Sequence, residues 1–322
     1  MKAIVYYQYG SPEVAKLEEI DKPVVGDDEV LVSVRAASVN PYDWHFMTGK
    51  PYLVRVMAGL LKPKDRRLGV DFAGLVEAVG KNRTDLQQGD EVFGSGDGAF
   101  SEYAIARKSV AKKPANVTFE EAAAAPMATL TAIQGLRDKG QIQAGQKVLI
   151  VGAGGGIGTF AVQIARSFGA EVTGVCSSSK VDLVQSLGAH IVIDYTKDDY
   201  TRNGKSYDLI LDMAGDRSNE DRKRALSADG ILVEIGAPTD DIGVALVSRT
   251  WAMKLSSRGG TKKMITMLAK GNAADFVTIA EMLETGKIKP VIGRTYSLCE
   301  TPKAIAYLME GHSEGKTVIT VA

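Results

Sequence analysis

The chain is short of several things that would announce a function. Two cysteines, Cys176 and Cys299, stand in 322 residues. They are too few for a disulfide framework and fit a reducing compartment. Lys and Arg number 39 and so do Asp and Glu, giving no net charge. No overall basic field therefore points to nucleic acid or to an anionic membrane. Histidine occurs three times, and no H-x-x-x-H or C-x-x-C marks a metal site. The longest uncharged run, "VLIVGAGGGIGTFAVQIA", approaches the length of a membrane span. Its glycines divide a short strand from a helix, so it reads as a buried strand–turn–helix. The opening "MKAIVYYQYG" has neither a signal core nor transit-peptide composition. A cytoplasmic protein without a membrane span is expected.

What is present has two textures. Residues 1 to about 115 are β-rich, with "MKAIVYY", "DEVLVSVRAASVN", "GVDFAGLVEAVG" and "AFSEYAIA" set between Gly, Pro, Asn and Asp. The apolar "PYLVRVMAGLLK" at 51–62 is too short to span a membrane and is expected as a core or packing helix rather than a lid. From about 119 strands and helices alternate. Thr118 is a plausible N-cap, with Glu120 and Glu121 suited to the first turn. "KVLIV" is a strand and "IGTFAVQIARSF" a helix with Ile157, Phe160, Ala161, Ile164, Ala165 and Phe168 on one face. "EVTGVCS", "HIVID", "YDLILDMAG" and "GILVEIGAP" follow as further strands, so the fold class is α/β with a doubly wound parallel sheet. A helix over 274–285, a strand in "KPVIGRTYSL", a helix after Thr301 and the strand "KTVITV" close the chain.

Gly152, Gly155 and Gly158 recur every third residue where the "KVLIV" strand turns into its helix, and Gly154 and Gly156 lie among them. Such a turn is tight, lets backbone approach a pyrophosphate, and allows close helix–strand packing. The N–H groups at the helix start, including those of Ile157 and Gly158, suit anionic phosphates. The pattern is GxxGxxG rather than GxGxxG. At the end of the second strand an NAD site places a carboxylate for the ribose 2′-hydroxyl. This chain has "VCSSSK" there: Ser177, Ser178 and Ser179 offer hydroxyls and Lys180 a charge, which suits the 2′-phosphate of NADPH, although serine there is also a preferred N-cap. Tyr195, just past the third strand, could close over the adenine ribose.

The segment "SVNPYDWHFMTG", residues 38–49, places Asp43 and His45 two apart. On an extended chain both would point to one side, as a fragment of a metal site or of a metal-free cleft. This segment, "GVDFAGLVEAVG", "GDEVFG", "FEEAAAAPMATLTAIQGL", the glycine turn, "VCSSSK", "LGAHIVIDY" and "GKTVITV" together resemble the medium-chain dehydrogenase/reductase superfamily. The likeness is to its zinc-free, zeta-crystallin-like quinone oxidoreductase group. It implies a GroES-like catalytic domain over 1–120 and 272–322, a Rossmann domain over 121–271, a cofactor cleft between them, and a homodimer. Zinc-dependent relatives carry C-x-x-D where this chain has Asn40 and Asp43, and G-H-E where it has Gly69-Val70-Asp71. Neither Asn40 nor Val70 suits zinc, so no metal is expected, and His190 and His312 read as ordinary surface or packing residues.

The resemblance further implies hydride transfer from NADPH to a quinone or to the C=C bond of an α,β-unsaturated carbonyl. Asn40 would contact the nicotinamide ribose or the substrate oxygen. Tyr42, His45 and Tyr52 are candidate donors of a hydrogen bond or proton, while Trp44 and Phe46 read as core. Thr131, Ala214 and the backbone around Gly236 would complete the cofactor set, and loops such as 47–68 and 238–260 the acceptor pocket. Two other readings stand beside this one. One is a zinc-free alcohol dehydrogenase or aldehyde reductase of the same fold. The other is a low-turnover NADPH-binding scaffold or redox sensor.

Overall fold

A computed structural model describes residues 1–236, 253, 261–311 and 313–321. His312 and nearly all of the 238–260 loop thus lie outside the described residues. The chain divides into two compact units, 1–130 with 270–322, and 131–269. The division falls inside the helix Pro126–Ile133 rather than at 120, because the preceding helix Phe119–Ala124 packs on the strands of the first unit. Thr118 caps that helix as its sequence predicts, its Oγ1 accepting the Glu121 N–H at 3.2 Å while Glu121 returns to the Thr118 N–H at 2.9 Å.

In the first unit, β1 (Lys2–Val5) and β2 (Lys16–Glu19) form a small antiparallel pair. Then β3 (Val30–Val39), β4 (Asp71–Val79), β5 (Glu91–Asp97) and β6 (Tyr103–Lys112) pair antiparallel in order, and β6 returns to β3 to close a ring. Closure removes two free edges. Inside it Val30, Val32, Val34, Phe72, Val92 and Ala104 form the core. From the far end of the chain β14 (Lys316–Thr320) pairs antiparallel with β3 and carries β13 (Ile292–Ser297) outside it. This return places Lys316 beside Val39 and Asn40, more than 270 residues away in sequence.

The second unit is a parallel sheet of β7 (Lys147–Val151), β8 (Glu171–Cys176), β9 (Ile191–Asp194), β10 (Tyr207–Asp212), β11 (Leu226–Ile235) and β12 (Lys263–Met267). Its spatial order is β12-β11-β10-β7-β8-β9, all neighbours parallel. Counted from β7 this is the doubly wound order 3-2-1-4-5-6, whose switch point lies between β7 and β10. Strand β12 has no counterpart in the sequence reading, where "KMITM" is too short to stand out. The helix Gly156–Ser167 buries Phe160, Ala161, Ile164 and Ala165 fully, whereas Phe168 is its half-exposed C-cap.

The segment 41–48 is a helix, not the extended run assumed for Asp43 and His45. Pro41 sits in its first turn and Gly49 ends it at φ +63°. Asp43 reaches back to the Asn40 N–H at 2.7 Å. On a helix residues two apart do not share a face. Asp43 is buried at 1% exposure while His45 is only partly covered, so the two do not form a pair. The segment 51–62 also departs from expectation. Its helix spans only Leu53–Ala58 and leaves Leu53, Val56 and Met57 exposed, so it is no core helix. Gly59 at φ +125° ends it, where a Cβ would stand 2.1 Å from the Lys62 carbonyl.

Candidate active site

In the second unit the glycine turn follows β7. Gly152 takes φ +85°, a conformation open to glycine at little cost. A Cβ on Gly158 would lie 2.1 Å from the Gly152 carbonyl oxygen and 2.7 Å from Ala153 Cα, so only glycine lets the helix approach the turn. A Cβ on Gly154 would meet the Lys180 side chain at 2.7 Å. The serine tract and the glycine turn are therefore in contact through Lys180. Because the helix begins at Gly156, its first N–H groups lack intrahelical acceptors and their dipoles favour an anion.

Ser177 precedes a short 3-10 turn, and its hydroxyl lies 3.2 Å from that of Ser179. Ser178 is committed elsewhere: it donates to Asp194 at 2.5 Å and lies 3.1 Å from Thr196 Oγ1. Sequence reasoning missed Asp194. Strand pairing sets Cys176 opposite Asp194, which brings a carboxylate to the serine tract after all. Hydrogen bonds from Ser178 and Thr196 hold Asp194 well below the usual carboxylate range, and Lys197 Nζ lies 3.0 Å away to balance it. Tyr195 is half-exposed, with its N–H bonded to the Cys176 carbonyl.

The sequence also gave no sign of Arg222. It lies fully buried on the helix Asn219–Arg224, with Nη1 3.0 Å from Asp212 and 2.9 Å from Glu234 and Nη2 donating to Asn219 at 2.6 Å. The other Asp212 oxygen accepts the N–H groups of Ala214 at 3.0 Å and Gly215 at 2.9 Å. This triad therefore fixes the loop after β10. Gly236, beyond Glu234, has φ +89°, and among the described residues nothing lies within 4 Å of where a Cβ would stand. Thr131 is buried on the helix Pro126–Ile133.

In the first unit Asn40, 2% exposed, lies within a buried polar network. Its Nδ2 donates to Asp71 at 2.9 Å and to the Ser38 carbonyl at 3.2 Å, and its Oδ1 accepts from Lys316 at 2.6 Å. Asp71 also accepts from Ser95 at 2.8 Å and the Met127 N–H at 3.0 Å. Burial raises Asp71, opposed by Lys316, and burial lowers Lys316, opposed by Asp71 and Asp43. Burial pushes Asp43 up to about 8, and its Oδ1 has no hydrogen-bond partner.

A pocket of about 230 Å³ opens beside this network, lined by Tyr42, Val70, Ser95, Asp97 and Arg107 among others. Burial raises the Tyr42 phenol to about 12, so it is a donor at neutral pH, and its ring stacks on Phe46 at 4.1 Å. His45 Nδ1 lies 2.7 Å from the Lys50 carbonyl, which can only accept. The neutral ring therefore carries its proton on Nδ1, and burial lowers its pKa. Tyr52 stands apart, half-exposed at the start of the helix Leu53–Ala58, with the Arg55 guanidinium 4.8 Å over its ring. His190 Nδ1 accepts the Val172 N–H at 3.0 Å, a structural role. Among the described residues no three His, Cys, Asp or Glu side chains are grouped to hold a metal ion.

A closed GroES-like ring and a doubly wound unit with this turn define a class. The chain belongs to the medium-chain dehydrogenase/reductase family. Residues 26–115 match the alcohol dehydrogenase GroES-like domain and residues 187–319 the zinc-binding dehydrogenase domain. More particularly, it is similar to the 2-methylene-furan-3-one reductase of Solanum lycopersicum, 34% identical over 99% of this chain and 79% of that one. The chloroplastic NADPH-dependent alkenal/one oxidoreductase of Arabidopsis thaliana is 31% identical over the same shares. Among solved structures, the quinone oxidoreductase from Coxiella burnetii superposes with a TM-score of 0.88 at 26% identity, covering 100% of this chain and 99% of that one.

Proposed function

We propose that the chain is an NADPH-dependent reductase delivering hydride to a quinone or to the C=C bond of an α,β-unsaturated carbonyl, without zinc. The observation that carries the reading is the glycine turn in contact with Lys180 just past the end of β8, where the segment 177–180 itself has no carboxylate and the neighbouring Asp194 is balanced by Lys197. The turn fits a dinucleotide: Gly158 leaves no room for a side chain, and the helix start presents N–H donors. The backbone of Gly152 to Gly158 would hold the pyrophosphate, and Ser177, Lys180 and Tyr195 the adenine ribose and its 2′-phosphate. Thr131, Ala214 and Gly236 would bound the nicotinamide. When bound, NADPH supplies the hydride, and the chain's relatives include an NADPH-dependent alkenal/one oxidoreductase and a quinone oxidoreductase.

The chain's own residues orient the acceptor and stabilise the negative charge that develops on its oxygen. Tyr42 is the donor we favour, since its phenol is protonated and lines the pocket. The single proton of neutral His45 is engaged by Lys50, and Tyr52 lies away from that pocket. Asn40 has both N–H groups and its oxygen engaged, so we assign it to positioning the helix Pro41–Thr48 rather than to touching substrate. A conjugated acceptor is already electrophilic, so hydrogen-bond donation suffices where Asn40 and Val70 stand in place of metal ligands. A cytoplasmic location and a homodimer belong to the same reading. The described residues contain no helix long and apolar enough to cross a membrane.

The test is NADPH oxidation by the purified protein with a panel of quinones, enones and saturated aldehydes, in the presence of chelator. Steady turnover with quinones or enones is expected. Turnover confined to saturated carbonyls, or lost on chelation, sinks the reading, and no turnover with any acceptor favours the scaffold.

A further inference from the structure

Overall neutrality conceals one strongly biased segment. Between Lys50 and Arg67 six Lys and Arg residues face a single acid, Asp65. Asp65 is itself bound by Arg67 at 2.8 Å. The same segment exposes Met57 at 76%, Leu60 at 70% and Leu61 at 93%, with Leu53 and Val56 also open. Single exposed apolar side chains are ordinary, but five large ones within nine residues form a patch that calls for a partner.

The patch is built, not loose. Arg55 Nε donates to the Gly49 carbonyl at 3.1 Å, and its guanidinium lies over the rings of Tyr9 and Tyr52. The Tyr9 hydroxyl donates to the Gly59 carbonyl, and the Lys64 N–H to the Ala58 carbonyl at 2.8 Å. The base of the segment is thus tied down while its aliphatic side chains are exposed, so little ordering cost remains on docking. Lys50, Lys62 and Lys64 are exposed and have no salt-bridge partner among the described residues.

We propose that residues 50–66 form a peripheral docking surface for an anionic lipid bilayer. Exposed aliphatic side chains flanked in the chain by exposed lysines are the chemistry of interfacial membrane binding, where the tips enter the acyl boundary and the cations meet headgroups. The composition fits a protein partner less well, since protein interfaces favour aromatic residues and are depleted in lysine. A second copy of this chain fits least. A two-fold contact through the patch would set one cationic rim against another. The surface would hold the enzyme where apolar acceptors dissolve, but the proposal is independent of the reductase reading, because binding is read without cofactor or acceptor.

The test is sedimentation of the full chain with vesicles of phosphatidylcholine alone, or of equal parts phosphatidylcholine and phosphatidylglycerol. Binding is expected to the anionic vesicles only, and added salt should release it. The double variant Leu60→Ser/Leu61→Ser should weaken binding about tenfold or more, as burial of even part of two leucines is lost. The double variant Lys62→Glu/Lys64→Glu should weaken it by a similar factor and abolish the preference for anionic lipid. All four residues are exposed, so unchanged melting curves are expected and confirm that folding is intact. The proposal fails if the wild type stays in the supernatant at low salt, or if neither variant alters binding. It fails equally if size-exclusion chromatography shows a self-association that Leu60→Ser/Leu61→Ser removes.

Discussion

Both units bury charge beneath their candidate sites, and they resolve the cost differently. In the second, Asp212 and Glu234 share one arginine, whose fork reaches both carboxylates and Asn219 at once. In the first, Asp43 and Asp71 face one lysine, whose point charge is spent on the Asn40 amide oxygen at 2.6 Å and the Val39 carbonyl at 3.2 Å. Arginine's planar fork serves several acceptors where an ammonium serves fewer. Burial acts against the charge of Arg222, but Glu234 and Asp212 more than restore it and hold its pKa up. Asp43 has no such partner and escapes its cost by keeping a proton. The second unit thus rests on a fixed ion cluster, and the first on one in which Asp43 is pushed up to about 8.

The largest expected effect breaks the fixed cluster. Arg222→Met preserves most of the side-chain volume and leaves two carboxylates buried without a cation. Removing one partner of a buried pair costs about 3–5 kcal/mol. Urea unfolding should show that loss, and NADPH affinity should fall with it because Asp212 holds the Ala214 and Gly215 N–H groups. A variant within about 1 kcal/mol of wild type would mean that the carboxylates protonate as easily as Asp43 does, and the contrast between the units would disappear.

The contrast also marks what the sequence could disclose. The α/β class, the glycine turn and the Thr118 cap follow local rules, and the structure bears them out. The helix Pro41–Thr48 was legible too, since Asn40, Pro41, Asp43 and Gly49 are start and stop signals at the right spacing. Arg222 was not legible: "NEDRKR" reads as a solvated face, and only the packing of that helix against β11 buries it. Asp194 and Lys316 reach their sites through strand register and through the chain's return, which no local pattern encodes.

The titrating cluster is tested by pH. Asp43 has a folded pKa of about 8 against an ordinary 3.8, so between these values the folded state holds a proton the unfolded chain has lost. Stability therefore falls as pH rises through that window, by up to about 1.4 kcal/mol per pH unit, and levels off above it. Asp43→Asn keeps an oxygen for the Asn40 N–H and removes the proton. Urea midpoints measured from about pH 5 to pH 8 should lose most of their downward slope in the variant. Equal slopes in both proteins would assign the titration to Asp71 instead, since the lowered pKa of Lys316 gives a slope of opposite sign.

The smallest effect concerns the edge of the nucleotide unit, where the chain already tolerates one carboxylate. Asp194 sits against Ser178 and is offset by Lys197, beside the Ser177 and Lys180 proposed for a 2′-phosphate. Ser177→Asp adds a second negative charge where the 2′-phosphate is proposed to sit. It should weaken NADPH binding about tenfold or more, the worth of one charge-assisted hydrogen bond, and shift preference toward NADH. Fluorescence titration with both nucleotides measures this. If NADPH affinity is unchanged and NADH gains nothing, the 2′-phosphate is not read at Ser177. Asp194 would then be the carboxylate that sets nucleotide choice, and Asp194→Asn the variant that should move it.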